Sequence, residues 1–205
     1  MKIKICGLRD VNHAVKAAEL GADFLGFVFA KSPRRVTPEQ AALITRRMPA
    51  GVQKVGVFVD EKPQTVNEIA GICGLDLVQL HGSESPAYCK QVCVPVIKAF
   101  RVKDADYLKE MELYRDSVEM FLLDTYIPGV AGGTGKVFDW KLAIEASGLG
   151  KIIVAGGLNP ENVSEACRIA KPFAVDVSGG VETAGVKDIA KIEAFISQAR
   201  GNLNV

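Results

Sequence analysis

Lys2-Ile3-Lys4-Ile5-Cys6-Gly7 opens the chain and reads as a short strand ending in a thiol and a glycine turn. An amphipathic run follows at 11–20 and a second apolar run at 24–29. This strand–helix–strand unit decides the fold because it recurs along the chain. Strand-like runs lie at 2–6, 24–29, 54–59, 77–81, 96–100, 120–124, 152–155 and 174–177. Helical patterns lie at 11–20, 38–48, 64–73, 86–92, 105–114, 140–146, 160–169 and 189–199. The strand runs are nearly continuously apolar, as in a parallel sheet covered on both faces. The helical runs space their apolar residues for one buried face. Eight such units fill 205 residues with no linker or composition break. An open doubly wound sheet usually needs fewer strands at this length, whereas a closed barrel uses eight. The expected fold is α/β, a single (β/α)8 TIM barrel over residues 1–205, with an open α/β sheet as the alternative.

Helix starts are marked by Thr37-Pro38, Ser85-Pro86 and Asn159-Pro160. In each, a capping side chain precedes a proline whose missing N–H would have had no helical partner. Gln40 completes a capping box with Thr37. Gly21 and Gly74 stand where helices are expected to end.

The net charge of +1 gives no reason to expect nucleic acid or an anionic membrane as partner. No uncharged apolar run approaches the ~18 residues of a membrane span, and Lys2 and Lys4 interrupt what a signal peptide would need as an apolar core. The five cysteines, Cys6, Cys73, Cys89, Cys93 and Cys167, are odd in number, which fits free thiols in a reducing cytoplasm.

Alternation along the strands sorts side chains between the barrel interior and the helices. Ile3 and Ile5 share one face of the first strand, and Lys4 and Cys6 the other. Leu122 pairs with Asp124 in the sixth strand, Ala174 with Asp176 in the eighth, and Gln79 with His81 in the fourth. Polar residues therefore gather at the C-terminal ends of several strands, where barrels carry their chemistry. Lys4 with Asp176 also reads as a buried structural pair. Cys6 and Asp124 make the sharpest constellation: a thiolate serves as general base and a protonated carboxyl as general acid. The first needs a lowered pKa from a nearby cation or N–H, the second a raised one from burial. The competing reading of a lone cysteine is a small buried apolar side chain.

Two glycine turns, Ala155-Gly156-Gly157-Leu158 and Val177-Ser178-Gly179-Gly180-Val181, follow the last two strands. Glycines let backbone N–H groups approach an anion, and barrels often hold phosphate there. Arg34 and Arg35 are spaced to clamp an anion at two points. The 129–136 segment lacks the glycine and hydroxyl spacing of a nucleotide loop, since Val130 and Val137 occupy those places, and reads instead as a lid. No zinc pattern accompanies Cys89 and Cys93, and the two histidines, His13 and His81, are widely separated. Lys98, within the fifth strand, is the candidate for a Schiff-base aldolase or lyase. A barrel that only binds a phosphosugar is a third reading.

From Lys4 to about Lys191 the sequence resembles the phosphoribosylanthranilate isomerase family, barrel enzymes of tryptophan biosynthesis. The resemblance is carried by Lys4-Ile5-Cys6-Gly7, Gly26-Phe27-Val28-Phe29, Ser32-Pro33-Arg34-Arg35, Val55-Gly56-Val57-Phe58 and Gln79-Leu80-His81-Gly82. It continues through Leu123-Asp124, Gly132-Gly133-Thr134-Gly135-Lys136, Phe138-Asp139-Trp140, Gly156-Gly157-Leu158-Asn159-Pro160-Glu161-Asn162, Val175-Asp176-Val177-Ser178 and Gly180-Val181-Glu182.

The resemblance implies Cys6 as general base, Asp124 as general acid and Arg35 as a substrate contact. His81 and Asp176 match pocket-lining residues, and the backbone around Gly156, Gly157, Ser178 and Gly179 matches a phosphate cradle. The family's Ser-Ser-Gly is Ser178-Gly179-Gly180 here, so the cradle leans on backbone N–H groups. The implied reaction is an Amadori rearrangement of N-(5-phosphoribosyl)anthranilate to its 1-deoxyribulose isomer, needing neither metal nor organic cofactor. The implied partner is a small phosphosugar, the implied location the cytoplasm, and the oligomeric state a monomer or homodimer.

Overall fold

The structure, a computed structural model, describes residues 1–102, 106–125 and 139–201. The lid expected at 129–136 lies outside the described residues. Strands β1 (Lys2–Cys6), β2 (Phe24–Val28), β3 (Gln53–Phe58), β4 (Leu77–Leu80), β5 (Val96–Val102), β6 (Met120–Thr125), β7 (Lys151–Val154) and β8 (Ala174–Val177) form a closed barrel in chain order. Parallel pairing of β1 with β8 closes it, with Lys2 opposite Ala174 and Lys4 opposite Asp176.

Between them run α1 (Val11–Glu19), α2 (Pro38–Thr45), α3 (Pro63–Cys73), α4 (Pro86–Cys89), α5 (Tyr107–Glu112), α6 (Lys141–Ala146) and α7 (Val163–Ala170), with α8 (Ile189–Gly201) after the last strand. A 3-10 turn at Gly179–Val181 and a small hairpin, β9 (Glu182–Thr183) with β10 (Val186–Lys187), separate β8 from α8. The architecture is a (β/α)8 barrel, as the repeating pattern predicts.

Alternation places the side chains as expected in β1, where Ile3 and Ile5 join the layer under the helices. The barrel interior holds Phe24, Val55, Leu77, Ile97, Met120, Leu122 and Ile153, among others, with Lys4 and Gln79 fully buried beside them. Cys6, Val28 and Val57 form a separate cluster.

Several helices are shorter than their periodicity suggests, α4 and α5 most of all. The capping box at Thr37 and Gln40 forms, and Ser85 Oγ accepts from the Tyr88 N–H. Gly74 ends α3 in the left-handed conformation, φ 56°. Asn159-Pro160 does not start a helix. Asn159 Oδ1 accepts from the N–H groups of Glu161 and Asn162, and Asn162 Oδ1 accepts from the Asn159 N–H. These local bonds satisfy the backbone in a turn, and α7 begins at Val163 instead.

Lys98 faces outward. Ile97 and Ala99 take the inner positions of β5, so Lys98 lies on the helix side. There its ammonium donates to Gly82 O at 2.7 Å and to Glu84 Oε2 at 3.0 Å, with both side chains buried. A buried ammonium held this way is a structural cation rather than an amine facing the barrel mouth.

Candidate active site

Cys6 ends β1 on the inner face and is 7% exposed. Gly7 follows with φ 78°, turning the chain away from the barrel. Gly26, its partner on β2, leaves the thiol its space: a Cβ there would lie 2.7 Å from Cys6 Sγ. Two residues below Cys6, Lys4 Nζ lies 3.0 Å from Asp176 Oδ1. The two readings of Lys4 and Asp176 thus merge, since this buried pair sits directly under the thiol.

Burial pushes the Cys6 thiol above its ordinary value, although Lys4 and, more weakly, Lys187 pull it down. The lowered pKa expected of a ready-made thiolate is therefore not found. Desolvation, with Asp176 beside it, outweighs the cations. Burial alone would lower the Lys4 ammonium, but Asp176, and then Cys6, more than offset it and leave it raised.

Asp124, on the inner face of β6 near its end, is partly buried. Its Oδ1 accepts from the Thr125 N–H at 2.8 Å, and its Oδ2 lies 3.3 Å from His81 Nε2. His81 Nδ1 in turn lies 2.9 Å from Gln79 Nε2. The structure thus links His81 to Asp124 directly. It also brings in Gln79, which strand alternation paired with His81 but which the sequence reading left without a role. Because β5 runs to Val102, Arg101 stands opposite Asp124 in the pairing register. This mouth residue was signalled only by its alternation with Ile97 and Ala99.

The two arginines part company. Arg34 spends its two-point fork on Glu182, with Nε and Nη2 each 2.7 Å from a carboxylate oxygen. It is therefore no anion clamp, while Arg35 next to it is exposed. Glu182 also receives Lys187 Nζ at 2.7 Å, and Lys187 donates on to Ser178 O at 2.9 Å. Burial alone would raise the Glu182 carboxyl, but hydrogen bonds from Arg34 and Lys187 bring it down to about 2. This triad ties the loop after β2 to the loop after β8. Sequence reasoning missed it, since Arg34 and Glu182 are 148 residues apart.

The glycine turns pack against one another. Gly156 and Gly157 have φ of 80° and 68°, and a Cβ on Gly180 would collide with Leu158 O. No described residue accepts from the Gly156 or Gly157 N–H. Ser178 Oγ donates to Cys6 O at 3.0 Å, leaving the backbone of Ser178 and Gly179 as the donors of that loop. A cavity of about 640 Å³ opens at the other end of the barrel, lined by Lys2, Phe24 and Gln53 at the strand starts. Barrel chemistry sits at the opposite end, and Lys2 there is spent on Asp23 at 2.7 Å.

A family model described as N-(5'phosphoribosyl)anthranilate (PRA) isomerase matches residues 3–198. The chain belongs to this family. It is an enzyme, an isomerase of tryptophan biosynthesis. It is 52% identical over 203 residues to N-(5'-phosphoribosyl)anthranilate isomerase of Geobacter sulfurreducens, covering 98% of this chain and 99% of the relative. It resembles a solved phosphoribosyl anthranilate isomerase in complex with reduced 1-(o-carboxyphenylamino)-1-deoxyribulose 5-phosphate. The TM-score is 0.88 at 39% identity, over 98% of this chain and 99% of that one. A solved structure of monomers generated from the dimeric Thermotoga maritima isomerase matches with the same TM-score of 0.88, 39% identity and the same coverage.

Proposed function

We propose that Cys6 and Asp124 are the base and acid by which this isomerase converts N-(5'-phosphoribosyl)anthranilate to 1-(o-carboxyphenylamino)-1-deoxyribulose 5-phosphate. The observation that carries the assignment is their common placement: both lie on the inner face at or next to the ends of their strands, at the C-terminal mouth. Asp124 protonates the ribose ring oxygen, and the ring opens to an iminium. The positive nitrogen makes the C2 proton acidic, and Cys6 removes it as thiolate. The enolamine then tautomerises to the ketose. The iminium charge adds to Lys4 and Lys187 in favouring the thiolate that burial opposes.

Arg35, exposed beside the mouth, contacts the anionic substrate. His81 and Asp176 hold the acid and the environment of the base. The N–H groups of Gly156, Gly157, Ser178 and Gly179 receive the phosphate; the Gly156 and Gly157 donors without a described acceptor support this. The five unpaired cysteines fit a reducing cytoplasm. A monomer and a homodimer both suit the reading, and light scattering separates them.

The test forms phosphoribosylanthranilate in place from anthranilate and phosphoribosyl pyrophosphate with the preceding enzyme, and follows its fluorescence. Wild type accelerates loss of signal, while Cys6→Ser and Asp124→Asn each lose roughly 10²–10⁴-fold in kcat. Full activity in either variant overturns that residue's role.

A further inference from the structure

Lys187 is 6% exposed, and its described bonds all stay within the loop after β8. Its ammonium donates to Glu182 Oε1 at 2.7 Å and to Ser178 O at 2.9 Å, and lies 3.4 Å from Ser178 Oγ. Glu182 and Lys187 face each other across the β9–β10 hairpin. Glu182 is held in turn by the fork of Arg34. The hairpin thus brings a buried cation back to the glycine turn that it follows.

The carbonyl that Lys187 holds belongs to the peptide joining Ser178 to Gly179. That unit is planar and trans, so its N–H points opposite to its C=O. Fixing Ser178 O on the ammonium therefore turns the Gly179 N–H away from the ion cluster. No described residue accepts from that N–H. Little else sets its direction. The Ser178 hydroxyl is spent on Cys6 O, and the Val181 N–H reaches Ser178 O only at 3.4 Å. Residue 179 has no side chain to anchor the turn, and a Cβ there would lie 3.2 Å from Arg34 Nη2.

We propose that Lys187 is a positioning residue for phosphate: its grip on the Ser178 carbonyl holds the Gly179 N–H ready for the phosphate of the substrate. This rests on the loop after β8 being part of the phosphate cradle. The ammonium is engaged by Glu182 and Ser178, so it acts through the peptide and not as a phosphate ligand of its own. A peptide already held in the receiving orientation loses no further freedom when the anion arrives, and affinity gains accordingly.

The test uses three probes: the reduced product analogue, the same molecule without its phosphate, and inorganic phosphate. Binding of an unreactive analogue reads affinity apart from the charge that Lys187 places near Cys6. Wild type is expected to bind the phosphorylated form more tightly, and its Gly179 amide resonance to shift on addition of inorganic phosphate. Lys187→Met is expected to weaken the phosphorylated analogue about tenfold or more, the worth of one charge-assisted hydrogen bond. The form without phosphate should bind within about twofold of wild type. The Gly179 amide should lose its response to phosphate while Gly156 and Gly157 keep theirs. Lys187→Arg, which retains a cationic donor, is expected to restore most of the lost affinity. If Lys187→Met does not fold, Lys187→Met combined with Glu182→Gln serves, since it removes the carboxylate along with the ammonium. Equal weakening of both analogue forms in a folded variant overturns the proposal, as does a full Gly179 response there. Wild type indifferent to the phosphate group, in affinity and at Gly179, overturns the cradle itself and this proposal with it.

Discussion

A methyl group on Gly26 would lie 2.7 Å from Cys6 Sγ and 3.0 Å from Cys6 Cα. The second of these atoms is backbone and cannot swing aside. Gly26→Ala is therefore expected to displace the thiol and lower kcat about 10²-fold, the usual cost of misplacing a reacting group by about 1 Å. Steady-state kinetics beside a thermal melt checks it. Wild-type kcat in the variant would show that β1 and β2 part without disturbing the base.

Burial does most to hold the Cys6 thiol up, and the Asp176 charge adds to it, opposing Lys4. Asp176→Asn removes that charge. A base that deprotonates more readily moves the acidic limb of the kcat/KM profile to lower pH, and the profile from pH 5 to about 9 measures it. A limb displaced upward would assign it to another group.

Glu182 makes the stability of the mouth depend on acid. Its carboxyl falls from an ordinary 4.5 to about 2 in the folded chain. A depressed carboxylate stabilises the fold fully above its unfolded value, and that contribution fades as pH falls through the folded one. Glu182→Gln is thus expected to be less stable than wild type above pH 5, with the gap closing toward about pH 2. Urea denaturation across that range checks it.

Lys98 is expected to fail as a Schiff-base residue. Borohydride with a carbonyl substrate should leave it unmodified, because its ammonium is held by Glu84 and Gly82 on the far side of the strand from the mouth. Lys98→Met should cost about 3–5 kcal/mol, the penalty for stranding a buried partner charge, with kcat of the folded enzyme within twofold. Denaturant midpoints and covalent trapping give the two readings.

The barrel was legible because apolar strands and amphipathic helices announce themselves within a few residues. The same alternation aimed Cys6, Asp124, His81 and Asp176 into the mouth. Whatever depends on partners distant in sequence was not legible. Nothing near Arg34 announces Glu182, and nothing near Lys98 announces that Glu84 waits outside the strand. Asn159 misled for a local reason: a cap and an Asx turn use the same side-chain oxygen, and only the bonds of Asn162 decide between them. The Cys6 pKa was misjudged because residue type shows the neighbouring cations but not the depth of burial they must overcome.

The bond from Ser178 Oγ to the carbonyl of Cys6 spans 172 residues, as does the Lys4–Asp176 pair beneath it. The thiol is thus synthesised long before the residues of the eighth strand and its loop that surround it. A nascent or truncated chain carries the base but has nowhere to use it until the eighth strand zips against the first. Turnover is therefore a gauge of ring closure: competence arrives with the final seam, and a half-finished barrel in the cell is chemically silent.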